Sequence, residues 1–542
     1  MKHRPCILLA LAVCLWPGAA WADPITGAIV AILGGSAVFG AGATLGGAIA
    51  AAAVTLGQAA IGAILTTGIT IRLSSLLSRN KQPATPSFSF ADSASNRSQI
   101  VRSAIDSHKV IYGQARVSGA LVYITTTDLT GGRAGKNELL HMVIALAGHE
   151  CESIEKIYLN EDEITLDADG FVTTEKYVVV RPLVRIKKHL GASDQTADHD
   201  LITEVPEWTD AHRLRGICYV YVRLNYQGSS WPTGIPNVSA IVKGKKLYDP
   251  RTTTTAWSDN WALCVRDYIA NADYGLGATS AEIDDVTFMA AANVADELVT
   301  LKDGTTTQKR YTCNGVVDTA DKPIDIIKDL TSAGAGVMPY AQGQYKLYAG
   351  AYNIPTVTID KSWLAGPMEV SARTSRNEIF NAVRGVYVDP NKQWQPTDFP
   401  VVKNDFYRTE DGGYLIERDI ELAYTTHVEA AQRIAKIILE KSRQGIVVKM
   451  PCNYKALQLS IWDTVLVTNA LVGWDEEVFR VTMWELNPQG GVFLTLQEDT
   501  SASYDWNAGE ATTYDPAPDT NLPSAWAVTA PGNPVVVESL YE

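Results

Sequence analysis

The stretch from His108 to Thr127, HKVIYGQARVSGALVYITTT, alternates apolar and polar residues on either side of Gly113 and Gly119. A period of two is the spacing of a strand with one face on a core, so paired strands are predicted here. The pattern recurs down the chain. NELLHMVIALAGHECESIEKIYLNEDEITLDADGFV reads as strand, connector, strand and turn, with the DADG of Asp167–Gly170 as a hairpin turn. RGICYVYVRLNY is a strand by its aromatic and β-branched content. LQLSIWDTVLVTN sets a Trp-Asp turn between two apolar runs, and EVFRVTMWELNPQGGVFLTLQE predicts a hairpin about Gly490 and Gly491.

Two segments carry helical spacing instead. NWALCVRDYIANADYGLG has one apolar face and ends at a Gly-containing turn. HVEAAQRIAKIILEKSRQG places Ala431, Ile434, Ile438 and Lys441 at helical spacing, which predicts a helix over 427–444 with Gly445 as its C-cap. The fold class that follows is mainly β with some α, in several domains.

At roughly 100–200 residues per domain, a chain of 542 residues holds about three or four. Composition divides it into a signal-like apolar N-terminus (1–22), a Gly/Ala-rich uncharged helical segment (23–80), a linker (81–95), a β-rich region (96–255), an α+β domain (256–365), a β-rich domain carrying the 427–444 helix (366–500), and an acidic linker and tail (501–542). MKHR followed by CILLALAVCLWPGAAWADP has the basic start, apolar run and Ala-Trp-Ala of a secretory signal peptide. From Pro24 to Ile71 no residue is charged. One membrane span takes about 20 apolar residues, so this run has the length of two short spans or a helical hairpin. Small residues four apart, as at Gly42 and Gly46, let helices approach closely. Three outcomes fit: a membrane anchor behind a signal peptide, an oligomeric helical plug inside a protein assembly, or a buried Gly/Ala-rich helix pair. Gly dilutes the Leu, Ile and Val, which weighs against permanent anchoring.

Charge excludes one broad class of partner. The net charge is −14, and a nucleic-acid backbone attracts clustered Lys and Arg, so no specific nucleic-acid binding is expected. The chain has seven cysteines. Two lie in the signal-like segment; Cys151, Cys218, Cys264, Cys313 and Cys452 are far apart, without CxxC or a flanking His at ligand spacing, and are expected as buried core thiols.

Catalytic motifs are equally thin. TGGRAGKN fails as a phosphate loop, because the first Gly is missing and Asn137 stands where Ser or Thr binds magnesium. GHECE brings His149, Glu150, Cys151 and Glu152 together, but alternate residues of a strand face opposite ways and cannot share one ion. DQTADHD, with Asp194, Asp198, His199 and Asp200, reads as a solvated surface loop. DADG lacks the closing Glu of a calcium loop. Neither HExxH nor GxSxG occurs. No cofactor, metal or catalytic residue is assigned, and an assembly protein is favoured over an enzyme.

Several ordered blocks then carry a resemblance: VIYGQARVSGALVYI, WPTGIPNVSAIVKGKKLYDPRT, WSDNWALCVRDYIANADYGLG, EIDDVTFMAAANVADE, RYTCNGVVDTADKPIDIIKDLTSAGAG, RNEIFNAVRGVYVDPNKQWQPTDFP, DGGYLIERDIELAYTTHVEAAQRIAKIILEKSRQ and GWDEEVFRVTMWELNPQGGVFLTLQE. From about Asn96 to Tyr504 the chain resembles the tail tip proteins of long-tailed bacteriophages, the family of the lambda tip attachment (host-specificity) protein J and related baseplate hubs.

The resemblance implies several β-rich hub domains, barrel- and sandwich-like, forming a homotrimeric ring at the end of the tail tube. It implies contacts with the distal tail ring protein, the tape measure protein and other tail tip or fibre proteins, and an opening for DNA ejection. It places the protein in the virion, assembled in host cytoplasm and without turnover chemistry. Family members usually continue into fibronectin-type domains and a fibre, so receptor recognition is expected of a separate protein. Residues 24–71 are then a plug near the tube axis that contacts the host membrane. The competing expectation is an exported, periplasmic or membrane-associated surface protein that binds or degrades cell-wall glycans. Trp231, Pro232, Gly234, Pro236 and Asn237 are expected to form a rigid turn before a strand. Tyr274, Gly275 and Gly277 are expected to end a helix, and Asn381, Arg384 and Gly385 lie in a block that matches the family; all are assigned structural roles as turns and caps.

Overall fold

The computed structural model describes residues 99–513 except 102–105, 130–136, 227–230, 232, 233, 374, 377, 488 and 489. The signal-like and uncharged segments, the 81–95 linker, the glycines of TGGRAGKN and the chain beyond 513 lie outside the described residues. Within them the chain is mainly β, with many sheets and few helices, as its alternating patterns predict.

The first sheets take β1 (Lys109–Tyr112), β2 (Gln114–Val117), β3 (Ala120–Thr127), β4 (Leu139–Ala147), β5 (Ser153–Leu159), β6 (Asp162–Ile164), β7 (Val184–His189), β8 (Cys218–Asn225) and β9 (Val238–Lys243). One antiparallel sheet runs β2-β9-β5-β6 and a second β3-β4-β8-β7. Period-two alternation explains the packing. Met142 and Ile144 of β4 and Val220, Val222 and Leu224 of β8 share a core with Ile154, Ile157, Val238 and Val242 of the other sheet. The residues between them, Val143, Tyr219 and Tyr221, face the opposite way. There they meet Leu201, Val205 and Trp208, carried by helix α1 (His199–Glu204) and the turn after it. Both faces of β4 and β8 are therefore covered, and these strands read as continuous apolar runs. The expected DADG turn forms, with Asp167 Oδ1 accepting from the backbone of Asp169 and Phe171 at 3.0 and 2.8 Å.

Next come the hairpin β10 (Lys246–Asp249) and β11 (Thr254–Trp257), helices α2 (Trp261–Ala270) and α3 (Asp285–Asp296), the hairpin β12 (Leu298–Thr300) and β13 (Thr307–Lys309), β14 (Gly315–Asp318), helix α4 (Pro323–Ser332), and the short pair β15 (Tyr340–Ala341) and β16 (Gln344–Tyr345). Asn260 caps α2: its Oδ1 accepts from Ala262 N at 3.0 Å while its Nδ2 donates to Ala292 O on α3 at 2.9 Å. One side chain thus starts a helix and fastens its neighbour. HKVIYGQARVSGALVYITTT does form three strands, but they do not pair with one another. β1 pairs with β14, β2 with β9 and β3 with β4. Tight turns at Gly113 and near Gly119 send each strand to a different partner.

The last part holds β17 (Val357–Ile359), β18 (Glu369–Ser371), β19 (Ala382–Asp389), β20 (Gln395–Asp398), β21 (Val402–Lys403), helix α5 (Asp405–Glu410), β22 (Glu417–Leu422), helix α6 (Val428–Arg443), β23 (Val447–Cys452), β24 (Thr464–Asn469), β25 (Trp474–Asn487) and β26 (Gly491–Glu498). A six-stranded sheet runs β17-β24-β25-β26-β23-β18, and β19 sits among β20, β21 and β22. The predicted hairpin is β25 with β26, closing at Asn487 opposite Gly491. Helix α6 matches the expected span, but its C-cap is Gln444 (φ −76°, ψ 88°), not Gly445. The chain leaves the helix without a left-handed residue, so no glycine is required there.

The largest core runs from Val110 to Leu439, joining Val110 and Tyr112, the faces of α2, α3 and α4, and Ile434, Ala435 and Leu439 of α6, while the last sheet has a core of its own. Residues 501–513, expected to begin an acidic linker, are packed on α6. Gln432 exchanges bonds with Thr512 (Nε2 to O, 2.9 Å; backbone N to Oε1, 2.8 Å), and Lys436 reaches Glu510 at 2.6 Å. The five cysteines from Cys151 to Cys452 are free and buried, as expected.

Candidate functional site

The residues singled out in the sequence sit at three separate junctions. Trp231 donates Nε1–H to Asn225 O at 2.8 Å and stacks on Tyr177. Gly234 has φ +84°, Pro236 is buried, and Asn237 accepts from Ile100 N at 2.9 Å on its way into β9. Pro232 lies outside the described residues. At the second junction, α2 already stops at Ala270, so Tyr274, Gly275 and Gly277 form the turn beyond it. A Cβ on Gly275 would lie 1.7 Å from Tyr268 O. Tyr274 and Tyr112 both donate to Asp267 Oδ2, at 2.5 and 2.8 Å, and Lys245 bonds the Tyr274 hydroxyl. Burial and the Asp267 charge push both phenols up.

The third junction joins β19 to α6. Buried Asn381 donates to Asp411 Oδ2 and Tyr414 O at 2.7 and 2.8 Å and accepts from Ile416 N at 2.9 Å. Arg443 grips Asp411 with both Nη atoms, at 3.0 and 2.5 Å, and donates Nε–H to Phe380 O. That guanidinium holds the Asp411 carboxyl below its usual range. Arg384, in contrast, pairs on the surface with Asp419 at 2.5 Å. Gly385 allows close approach of the parallel strand β22, since a Cβ there would lie 1.9 Å from Ile420 O.

Two acidic or His-bearing motifs differ from expectation. GHECE lies in the connector after β4, not in a strand. His149 Nε2 accepts from Ile111 N at 2.9 Å and its Nδ1–H donates to Glu150 O at 2.8 Å, so the ring replaces a backbone partner. Burial lowers it to about 4. Glu150 turns away to Lys246. In DQTADHD, Asp198 is buried, not solvated. It caps α1 through Leu201 N (2.8 Å) and accepts from His189 Nε2 at 2.7 Å. Among the described residues, no three His, Cys, Asp or Glu side chains gather as a metal site.

The arrangement closest to a catalytic relay runs Thr127 Oγ1 to His141 Nε2 (2.7 Å), then Nδ1 to the Tyr221 hydroxyl (2.8 Å), with Glu204 beyond at 3.3 Å. Burial, with Arg223 and Arg185 nearby, lowers His141 to about 4. A base so weak accepts a proton poorly at neutral pH. Glu204 is engaged by Arg185 at 2.8 Å and Arg223 at 2.6 Å, so the group reads as a buried tie between the sheet and α1.

A cavity lies elsewhere, between α4, β22, α6 and the last sheet, with a volume of about 410 Å³. Period two in β25 builds one wall. Phe479 and Val481 enter the sheet's core while Arg480 and Thr482 face the cavity. Ile437, Ile438 and Lys441 of α6 form another. Trp462, in the expected Trp-Asp turn, lines the cavity with φ +75°. A bulky residue in that region costs of order 1–3 kcal/mol and persists only where its surroundings fix it. Here its N–H donates to Val481 O at 2.7 Å, and Val481 N–H donates back to Asp463 O at 2.8 Å. The cavity was not identified in the sequence. The one signal for it was a lysine, Lys441, on the apolar stripe of α6.

Most of that wall lies in the segment the comparisons single out: residues 322–484 match the family model described as a putative phage tail protein. Together the sequence matches support one class, a phage tail protein. Within it, the chain is 27% identical over 179 residues to a tip attachment protein J of Escherichia phage SECphi27, covering 29% of this chain and 15% of that relative. The fold is similar to a chain in the virion of a native gene transfer agent particle, with TM-score 0.53 at 15% identity, over 86% of this chain and 98% of that one. A 43 kDa tail protein of prophage MuSo2 from Shewanella oneidensis aligns over 73% of this chain and all of its own length, at 10% identity and TM-score 0.27.

Proposed function

We infer that this protein is a hub of a phage-like tail tip, closing the distal end of the tail tube and opening for DNA passage. The observation that carries this is the fold shared with a virion chain over 86% of this chain and 98% of that one. The partial match to a tip attachment protein supports the choice of the tip.

The surface suits assembly. Past an isolated bridge from Val101 to Ala120, the outer edge of β3 has no strand partner among the described residues. It presents Val122 and Ile124, each 48% exposed. Phe406 on α5, and Tyr414 and Leu415 just after it, are also exposed apolar residues. Open edges and apolar patches are covered when subunits assemble, and a homotrimeric ring covers them by symmetry. The partners are then copies of the chain itself, the distal tail ring protein, the tape measure protein and other tip or fibre proteins. A chain with net charge −14 suits a passage that does not hold DNA. The role is structural, and an exported glycan-degrading protein gains no support from the matches.

Immunogold labelling of intact particles tests the assignment. Gold at the distal end of the tail is the expected result. Gold on the capsid or along the tube, or particles without the chain, would overturn it.

A further inference from the structure

We propose that the cavity between α4, β22, α6 and the last sheet binds an acyl chain ending in a carboxylate, held by Lys441 and Arg480. The volume, about 410 Å³, falls within the range of small-molecule sites, about 300–1,000 Å³.

The donors decide the ligand's charge. Four polar side chains that line the cavity have donor groups engaged within the protein. Ser442 Oγ bonds Leu439 O, Thr482 Oγ1 bonds Thr495 O, Gln444 Nε2 bonds Ser503, and Gln497 Nε2 bonds Gln444 O. Two cations differ. Arg480 is 2% exposed; its Nε is held by Asp499 at 2.6 Å, while Nη1 and Nη2 have no hydrogen-bond partner. Lys441 has no carboxylate partner among the described residues. Its ammonium lies 5.2 Å from the Trp462 ring centre and 5.0 Å from that of Tyr504. Arg480 approaches the same two rings, at 5.4 and 5.7 Å. Asp499, the nearest anion, is already shared by Arg480 and the Tyr504 hydroxyl. Asp463 also acts on Arg480 and Glu498 lines the cavity, so the unbalanced charge here is that of Lys441. Burial, with Arg480 nearby, lowers Lys441 to about 7, so a docked carboxylate would stabilise its charged form.

The remaining wall decides the ligand's body. It is aliphatic and aromatic, through Val337, Phe380, Leu422, Ile437 and Ile438. A peptide would bring an N–H and a C=O per residue into this surface, each needing a partner. An acyl chain brings one polar group, at its end. The strained Trp462 backbone fixes the ring beneath the two cations.

The full chain, titrated calorimetrically with dodecanoate, dodecanol and dodecyltrimethylammonium, tests the proposal. Dodecanoate is expected to bind at least about tenfold more tightly than dodecanol, with the cationic amphiphile weakest. Lys441→Met should remove the preference for dodecanoate and leave dodecanol binding unchanged. Ile438→Trp, verified as folded by an unchanged melting transition, should block both by filling the cavity. Equal binding of dodecanoate and dodecanol by the unsubstituted protein would overturn the proposal. So would a retained preference in Lys441→Met, undiminished binding in folded Ile438→Trp, or binding of an acidic peptide but of no amphiphile.

Discussion

His149 and His141 are each buried and each lowered from 6.5 to about 4. Protonating His149 costs the bond it accepts from Ile111 N. Below pH 6.5 the unfolded chain binds protons that the folded chain refuses, so stability falls as pH drops from about 6.5 to about 4. Each group contributes at most about 1.4 kcal/mol per pH unit in that window. Urea unfolding at stepped pH should show the decline, and His149→Gln should make it shallower, with His141 and His427, also lowered by burial, keeping the rest. Glycine supplies a second residue-scale prediction. Gly385→Ala should destabilise by at least about 2 kcal/mol, because its methyl would meet Ile420 O. Gly509→Ala, with open space around it, should be close to neutral in the same assay. At this scale the sequence was partly legible. Asn381 and Gly385 fell in a recognisable block, but nothing local marked Asn381 as the partner of Asp411, because that contact joins residues 30 positions apart. His149 drew attention as a metal-like residue and serves as a backbone acceptor.

Helix α6 shows what periodicity reveals at the scale of elements. Its span was evident from Ala431, Ile434 and Ile438, yet the two features that give it a role were not. One is the Asn381–Asp411–Arg443 knot at its end. Asp411→Ala should cost about 3 kcal/mol in urea unfolding, since it leaves a mostly buried guanidinium without its carboxylate. The other is Lys441. Its folded pKa lies below the unfolded value of 10.5, so between about pH 7 and 10.5 the unfolded chain binds the extra proton and stability rises with pH. The stabilisation from Lys441→Met should therefore be larger at pH 6 than at pH 9, as melting transitions of both proteins will show. Strand existence followed period two throughout, but strand partners did not. β1 pairs with a strand some two hundred residues later, which no local pattern encodes.

Over the whole molecule, the core runs from Val110 to Leu439 and ties the early β1 to α2, α4 and α6. A body joined this way offers its edges and patches as a unit, as a structural subunit requires. A mainly β fold class was legible because alternation is a local property. The cavity and the surfaces were not, because they arise where distant elements meet.

The proposed hub locks against copies of itself at the end of a tail. A cryo-EM map of the tail end of intact particles tests it most directly. Density is expected at the distal tip into which residues 109–513 fit as three symmetry-related copies around a hollow axis. A tip resolved at side-chain level with no density for this chain, or single copies without symmetry, would contradict it.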